Sequence, residues 1–186
     1  MKKLITFIVV VLIVGGVWCS IHKQSSVSVD TSSTPTGTGS TSAGHPDASN
    51  ATFMIGDSSV TLKSGKSIVP ASDDSATADE TDLTQTVSYG DLNGDGKEDE
   101  AVVLTDQGGG SGVFIYVAAY VSGNISYKGT NAVFVGDRVA PQSISVKNGV
   151  ITLTYLDRGP NEPYAADPTI PTTKTYSFAN GELSAD

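Results

Sequence analysis

The chain has 186 residues, a mass of 19.1 kDa and a formal net charge of −9, which is enough for one ordinary domain. The acidic balance argues against a nucleic-acid-binding protein, because such proteins need a basic surface to meet phosphates. The single cysteine excludes an intramolecular disulfide framework and a cysteine-based zinc cluster. The two histidines, His22 and His45, precede the part predicted to fold, which argues against histidine-dependent catalysis.

Residues 1–23 have the pattern of a membrane-directed segment. Lys2 and Lys3 precede an uncharged run over residues 4–21, which as a helix would span roughly 27 Å of the bilayer. Trp18 suits the outer interface of an uncleaved membrane anchor, whereas Cys19 keeps a lipidated form open and a cleaved signal peptide is the third alternative. All three export the remainder, so we expect a membrane-anchored protein with its domain on the extracytoplasmic side.

Residues 24–50 are dominated by Ser, Thr, Gly and Pro. Such a segment cannot bury enough apolar surface to offset the entropy of ordering its backbone. We predict a disordered linker, in which His45 is a solvated residue.

Residues 51–186 read as a β-rich domain, because short apolar runs alternate with turn residues and no long amphipathic helix is present. Residues 113–121 are apolar on both alternating faces, which predicts a central strand covered on both sides. The polar, acidic residues 71–82 predict a loop or a short helix. We expect mainly β structure, as an antiparallel sandwich or a partly open barrel. Its predicted core contains Phe114, Tyr116, Val117, Ile151, Leu153 and Tyr155.

Asn-Gly pairs predict the tight turns of this domain. Asn148-Gly149 lies between two β-branched runs, and both central residues of a type I′ hairpin turn need a positive φ. Asn180-Gly181 repeats the pattern near the C-terminus, and Ser64-Gly65 predicts an earlier turn.

The residues that carry specific chemistry lie between two predicted strands. Asp91, Asn93, Asp95 and Asp99 occupy positions 1, 3, 5 and 9 of a loop, with Gly96 at position 6. Alternate side chains of a tight loop point inward, and glycine at position 6 permits the sharp turn. Lys97, at position 7, would contribute its carbonyl oxygen. Hard oxygen ligands suit Ca²⁺, so we predict a structural calcium site. The alternative is an ordinary turn rich in Asn, Asp and Gly that binds no ion.

This loop departs from an EF-hand, because position 12 is Val102 and the flanking residues predict strands. It resembles instead the calcium loops of FG-GAP/VCBS-type repeats and of dockerins, through Asp91, Asn93, Asp95, Gly96 and Asp99. One copy cannot build the propellers of the repeat families, so that architecture does not carry over. The stretch 90–162 is also similar to a group of small exported bacterial envelope proteins of unassigned activity, which implies only a compartment and a domain.

The dipeptide Asp-Arg occurs twice and offers a second candidate site. Asp137-Arg138 and Asp157-Arg158 are expected on loops, where they could bind a polar ligand or hold the two loops together through arginine hydrogen bonds. Asp106 and Glu162 are further carboxylates that a hydrolase could use, although sequence alone gives no pairing.

These observations favour a non-enzymatic, calcium-stabilised envelope module that binds a protein or a glycan. The alternatives are a carboxylate-dependent envelope hydrolase and a purely structural envelope protein. We expect no nucleic-acid partner, and the oligomeric state stays open.

Overall fold

The computed structural model describes residues 44–70 and 77–186, and every structural statement below concerns these residues. The predicted membrane segment 1–23 and residues 24–43 of the predicted linker lie outside them. Strands make up 61% of the described residues, which confirms the mainly β prediction. Within these ranges, none of the chain forms a helix of the length and apolarity that a membrane crossing requires.

Twelve strands follow a short 3₁₀ turn, Ala48–Asn50. The strands are β1 Thr52–Ile55, β2 Ser58–Thr61, β3 Lys66–Pro70, β4 Ala78–Gly90, β5 Asp99–Gly108, β6 Phe114–Val121, β7 Lys128–Gly129, β8 Asn131–Asp137, β9 Ala140–Lys147, β10 Val150–Asp157, β11 Ile170–Ala179 and β12 Glu182–Ala185.

The strands form two sheets. The larger sheet has eight strands, in the order β2-β1-β8-β6-β5-β4-β3 with β7 beside β6, and it curls into a nearly closed, barrel-like shape. The smaller sheet has the order β12-β11-β10-β9. Every pairing is antiparallel except that of β1 with β8, where Met54 lies opposite Asn131 and Ile55 opposite Ala132.

The three predicted turns are confirmed. Asn148 and Gly149 have φ values of 52° and 76° between β9 and β10, and Asn180 and Gly181 have 55° and 87° between β11 and β12. Ser64 and Gly65 have 54° and 83° and link β2 to β3. Each turn therefore uses the left-handed region that its glycine adopts without steric cost.

Strands β5 and β6 are buried on both faces. One face contributes Val103 and Val117 to a core shared with the smaller sheet. The opposite face contributes Val102 and Leu104 to a second core inside the curled sheet. The prediction of a doubly covered central strand at 113–121 is therefore confirmed, because β6 lies between these two layers.

The predicted core is correct in part. Val117, Ile151, Leu153 and Tyr155 are at most 2% exposed. Phe114 and Tyr116 are only half-buried. Both face the interior of the curled sheet, where Phe114 lines a cavity at its open end.

The prediction of a loop or short helix at 71–82 is wrong for residues 78–82, which begin β4, and residues 71–76 lie outside the described residues. These acidic residues are held in a strand because β4 pairs with β3 on one side and with β5 on the other. Lys66 of β3 contacts the carboxylates of both Glu80 and Asp82. Cross-strand pairing thus overrides the local composition.

The predicted linker needs correction over residues 44–50, which pack on the domain. Ala48 is fully buried, and its amide donates to the carboxylate of Glu100 at 2.8 Å. Asp47 accepts the amide of Ser49 at 2.9 Å and caps the 3₁₀ turn. Burial of Ala48 and the hydrogen bond to Glu100 of β5 offset the cost of ordering this segment.

We expect Gly90→Ala to destabilise the domain. A Cβ atom at residue 90 would lie 2.7 Å from Cγ1 and 2.9 Å from Cβ of Val146 on the smaller sheet. Such overpacking costs about 1–3 kcal/mol, and urea unfolding of the full chain would measure it. Gly44→Ala is the matched control, because nothing lies within 4 Å of its added Cβ. Equal unfolding midpoints for both variants would contradict this close approach of the sheets.

Candidate functional site

The predicted calcium loop joins β4 to β5 and is shaped by its own side chains. The carboxylate of Asp91 accepts the amides of Gly94 at 2.6 Å and Gly96 at 2.9 Å. Asn93 Oδ1 accepts the amide of Asp95 at 2.9 Å. Gly94 and Gly96 have φ values of 79° and 82°, which glycine adopts freely. The alternating oxygen side chains therefore fold the backbone into consecutive turns.

Asp99 anchors the loop to the neighbouring strand. Its side chain is fully buried, and its two oxygens accept the amides of Leu92 at 2.8 Å and Ser122 at 2.7 Å. The Ser122 hydroxyl in turn donates to Asp95 Oδ2 at 2.8 Å, and Asn93 Nδ2 donates to the Ser122 carbonyl at 2.8 Å. The loop is thus tied to the residue that follows β6.

The donor chemistry of the loop suits a hard cation. Asp91, Asn93 and Asp95 supply oxygen atoms, and a carboxylate or amide oxygen that accepts one amide hydrogen keeps a second lone pair. The amide of Lys97 donates to Asp95 Oδ1 at 2.9 Å. This hydrogen bond is the main cause that lowers the pKa of Asp95, and the hydrogen bond from the Ser122 hydroxyl lowers it further. Asp95 is therefore charged over the physiological pH range.

Asp99 differs from the other predicted ligands because it is fully buried. In the described part of the chain, no three histidine, cysteine, aspartate or glutamate side chains form a group that could hold a metal ion. Both oxygens of Asp99 are directed to backbone amides. The Nζ atom of Lys97 donates to the carbonyl of Gly123 at 3.2 Å. The predicted ligand is the backbone carbonyl of Lys97, not this side chain. Asp91, Asn93 and Asp95 share the loop, with Asp99 behind them as its anchor.

Sequence reasoning missed the residues that pack beside this loop. His45 is exposed, as predicted, but its Nδ1 lies 2.7 Å from Glu98 Oε2 and its ring stacks on Tyr89 at 4.3 Å between centroids. The Tyr127 hydroxyl donates to the carbonyl of Glu98 at 2.9 Å. No local pattern signals the contact of His45 with Glu98, because 53 residues separate them.

Glu100 is a buried carboxylate beside the loop and is only 4% exposed. It accepts the amide of Ala48, which favours the charged form, but burial dominates and raises the pKa of Glu100 above its ordinary value of 4.5. Tyr89 lies in the same region, and burial followed by the charge of Glu100 raises its pKa above 10.0. The base of the loop is therefore a site where folding and proton binding are linked.

We expect Glu100→Gln to change the pH dependence of stability. Because the pKa of Glu100 is raised in the folded chain, proton binding favours folding below the ordinary pKa, and this contribution is lost as pH rises through the raised value. Glutamine can still accept the Ala48 amide but does not titrate. The wild-type chain should therefore lose stability relative to the variant as pH rises from below 4.5 through the raised pKa. Urea unfolding over a series of pH values measures this, and a constant difference would contradict it.

We expect Asp99→Asn to destabilise the domain by about 1–3 kcal/mol. The new amide group would point a donor at the backbone amide of Leu92 or Ser122, and both amides now have an acceptor. Thermal unfolding of the full chain would measure the loss. Asp167→Asn, on an exposed loop, removes the same charge and should leave the midpoint unchanged.

The second candidate site is held together by its arginines. Arg138 donates from Nη1 to Asp137 Oδ2 at 3.1 Å and from Nη2 to the carbonyl of Ser111. Arg158 donates from Nε to the carbonyl of Ala166 at 2.6 Å and from Nη1 to the carbonyl of Arg138 at 2.7 Å. These bonds connect three loops, which is the structural role that arginine's five donors allow.

The four predicted residues of this site are partly brought together. The predicted placement on loops is correct for the two arginines, whereas Asp137 and Asp157 are the last residues of β8 and β10. Arg158 reaches across to the loop that begins with Arg138. Asp157 Oδ1 accepts the amide of its neighbour Arg158 at 2.8 Å. Two surface cavities of about 640 and 420 Å³ adjoin these loops, and Tyr164 lines both. Tyr164 is 64% exposed, and the Arg138 guanidinium lies 5.3 Å from its ring centroid.

The open end of the curled sheet carries a cavity that the sequence did not reveal. It has a volume of about 520 Å³ and is lined by apolar side chains, hydroxyl groups and the carboxylates of Asp79 and Asp106. Phe114 lines both this cavity and the larger one beside Tyr164. Its lining residues come from six different strands, so no short motif could have predicted it.

Comparison of the chain with protein-family models, with curated proteins and with solved structures gives no match.

Proposed function

We propose that this protein is a non-enzymatic, calcium-stabilised binding module of the cell envelope, with a protein or a glycan as its ligand. The observation that carries the proposal is the loop at 91–99, in which alternating oxygen side chains shape the backbone. Hard oxygen donors in a tight, glycine-containing loop suit Ca²⁺.

The role proposed for calcium is to stabilise the loop. Asp91, Asn93 and Asp95, with the carbonyl of Lys97, would hold the ion, while Asp99 ties the loop to β5 and Ser122. A bound ion would offset the repulsion between the loop carboxylates and would stabilise the folded state alone. Because the loop is exposed and has no bidentate glutamate at position 12, an affinity of roughly 10⁻⁴–10⁻³ M is expected.

The binding role is supported by the surface where β5 ends and β6 begins, at the far end of these strands from the loop at 91–99. There Phe134 and Tyr164 are 51% and 64% exposed, beside cavities of about 640 and 420 Å³. Aromatic side chains on a polar surface are suited to protein or glycan contacts. The carboxylate of Asp137 is occupied by the amide of Val113 and by Arg138, which supports a binding role over hydrolysis for these loops.

The envelope location of the proposal is supported by the sequence alone. Lys2, Lys3 and the uncharged run over residues 4–21 have the pattern of an exported, membrane-anchored protein. Residues 24–43 would then separate the domain from the membrane as a flexible linker.

We expect millimolar Ca²⁺ to raise the thermal unfolding midpoint of the full chain relative to a chelator. At ten times Kd the added stability is about 1.4 kcal/mol. Asp95→Asn removes one charge but keeps an oxygen ligand and the Oδ1 acceptor for the Lys97 amide, so it should weaken this response, whereas Asp95→Ala should abolish most of it. Asp57→Asn is the matched control, because it removes one carboxylate from an exposed turn elsewhere. The same immobilised chain should retain a protein or glycan from an envelope fraction.

Two outcomes would count against the proposal. Equal midpoints with calcium and with chelator would remove the calcium site. Retention of no envelope component, or turnover of a glycan or peptide that Asp137→Asn abolishes, would remove the non-enzymatic binding role.

A further inference from the structure

The two edge strands of the curled sheet begin a hairpin that does not close. The turn at Ser64-Gly65 joins β2 to β3, and Lys63 and Lys66 form an antiparallel bridge across it. Among the described strands, β2 pairs only with β1, and β3 pairs only with β4. The two strands therefore separate after the first bridge, and we call the gap between Ser58–Thr61 and Lys66–Pro70 the seam.

The backbone groups along the seam can be assigned from the ladder pattern. In an antiparallel ladder, the amide and carbonyl groups of successive residues point alternately to the two sides of the strand. Leu62 donates to Ala51 towards β1, so the groups of Thr61 and Ser59 point into the seam. Leu83 donates to Gly65 on the β3 side, so Ser67 and Val69 face β4 and Ile68 faces the seam.

The bridge at the closed end supports this assignment. The Lys63 amide donates to the Lys66 carbonyl at 2.8 Å, and the reverse bond is 3.3 Å long. Lys63 and Lys66 therefore already use the groups that point across the seam. At the far end of β3, Pro70 has no amide to present. Among the described residues, the amide and carbonyl groups of Ser59, Thr61 and Ile68 therefore have no backbone partner along the seam.

Cavities lie on both sides of the seam. A cavity of about 330 Å³ is lined on the outer side by residues of β2 and β3, among them Thr61 and Ile68. The cavity of about 520 Å³ at the open end of the sheet lies on the inner side. Ser59, Ser67 and Val69 line both. In the ranges that the structure describes, the seam is thus a slot that leads from the surface into the interior of the curled sheet.

The inner cavity is acidic and amphipathic. Asp79 and Asp106 line it, and Thr81 donates to Asp106 Oδ1 at 2.8 Å. No lysine or arginine is present among the described residues of its lining. Lys66 belongs to the outer side, where Glu80 and Asp82 already neutralise it. A ligand group that enters the cavity would therefore meet carboxylates together with the apolar walls of Phe114.

We propose that the seam binds an extended peptide segment with a basic residue, which adds a strand between β2 and β3. The peptide backbone would bond to Ser59, Thr61 and Ile68, and a lysine or arginine side chain would enter the cavity towards Asp79 and Asp106. Strand addition to an exposed edge supplies affinity, and the pocket for alternate side chains supplies specificity. The inference rests on the proposed function, because it names the class of partner that the binding module takes.

The test titrates the full chain, in saturating Ca²⁺, with a short blocked peptide in which threonine alternates with valine and the central inward residue is lysine. Calorimetry should show binding, and replacement of that lysine by glutamate should abolish it. Asp79→Asn and Asp106→Asn should each weaken binding roughly tenfold, as the loss of one charged contact does. Asp57→Asn, which removes a carboxylate from the β1–β2 turn, should leave the affinity unchanged.

A second pair of variants tests the added strand itself. Ile68→Pro removes the amide that points into the seam and leaves the β3–β4 ladder bonds in place, and edge strands tolerate proline at such positions. It should abolish peptide binding, whereas Ile68→Ala should retain most of it. Bound peptide should also slow hydrogen exchange at the amides of Ser59, Thr61 and Ile68. Thermal unfolding checks that both variants are folded.

Three results would overturn the inference. These are equal binding of the lysine and glutamate peptides, unchanged affinity in Ile68→Pro, and no binding by a chain whose unfolding midpoint still responds to calcium. The last result would leave the proposed function standing, since calcium stabilisation would be intact. Absence of a calcium response together with retained peptide binding would instead contradict the proposed calcium site and support peptide binding at the seam.

Discussion

Strands β5 and β6 contribute side chains to two hydrophobic cores, one on each face, and this constraint determines where polar groups can lie on them. Ala101 and Ala119 face the smaller sheet, whereas Val102 and Ala118 face the interior of the curled sheet. With both faces buried, an unpaired polar side chain in the middle of either strand would carry a desolvation penalty. Carboxylates therefore occur towards the strand ends, as Asp99 and Glu100 at one end of β5 and Asp106 at the other. The candidate calcium loop and the acidic cavity follow from this separation.

Features that depend on neighbouring residues could be read from the sequence. The Asn-Gly turns were correct because a positive φ at two adjacent residues is a local requirement. The prediction of a doubly buried strand was correct for β6, because its apolar run leaves no polar face. The start of β4 was not, because the acidic residues 78–82 take strand geometry from their pairing with β3 and β5. The contacts of His45 were not predicted for a similar reason, since its partners Tyr89 and Glu98 are distant in sequence.

The candidate sites divide in the same way. Spacing within one loop predicted that the oxygen side chains of residues 91–99 point into the loop, although it could not show that Asp99 accepts the amides of Leu92 and Ser122. The bonds of Arg138 and Arg158 go largely to backbone carbonyls, which carry no signature in the sequence. The seam depends on how far the larger sheet curls. That curvature is a property of all its strands together, so no single segment encodes it.

The contacts of residues 44–50 also determine how the domain would respond to mechanical load. A pull on the chain ahead of Gly44 acts first on the stacked rings of His45 and Tyr89 and on the bond from Ala48 to Glu100. Next come the bonds of Ser49 and Asn50 to the Ser64-Gly65 turn, which closes the end of the seam. These weak contacts would yield one after another before β1 itself bears force. A stretched chain would thus loosen the closed end of the seam before the core between the two sheets.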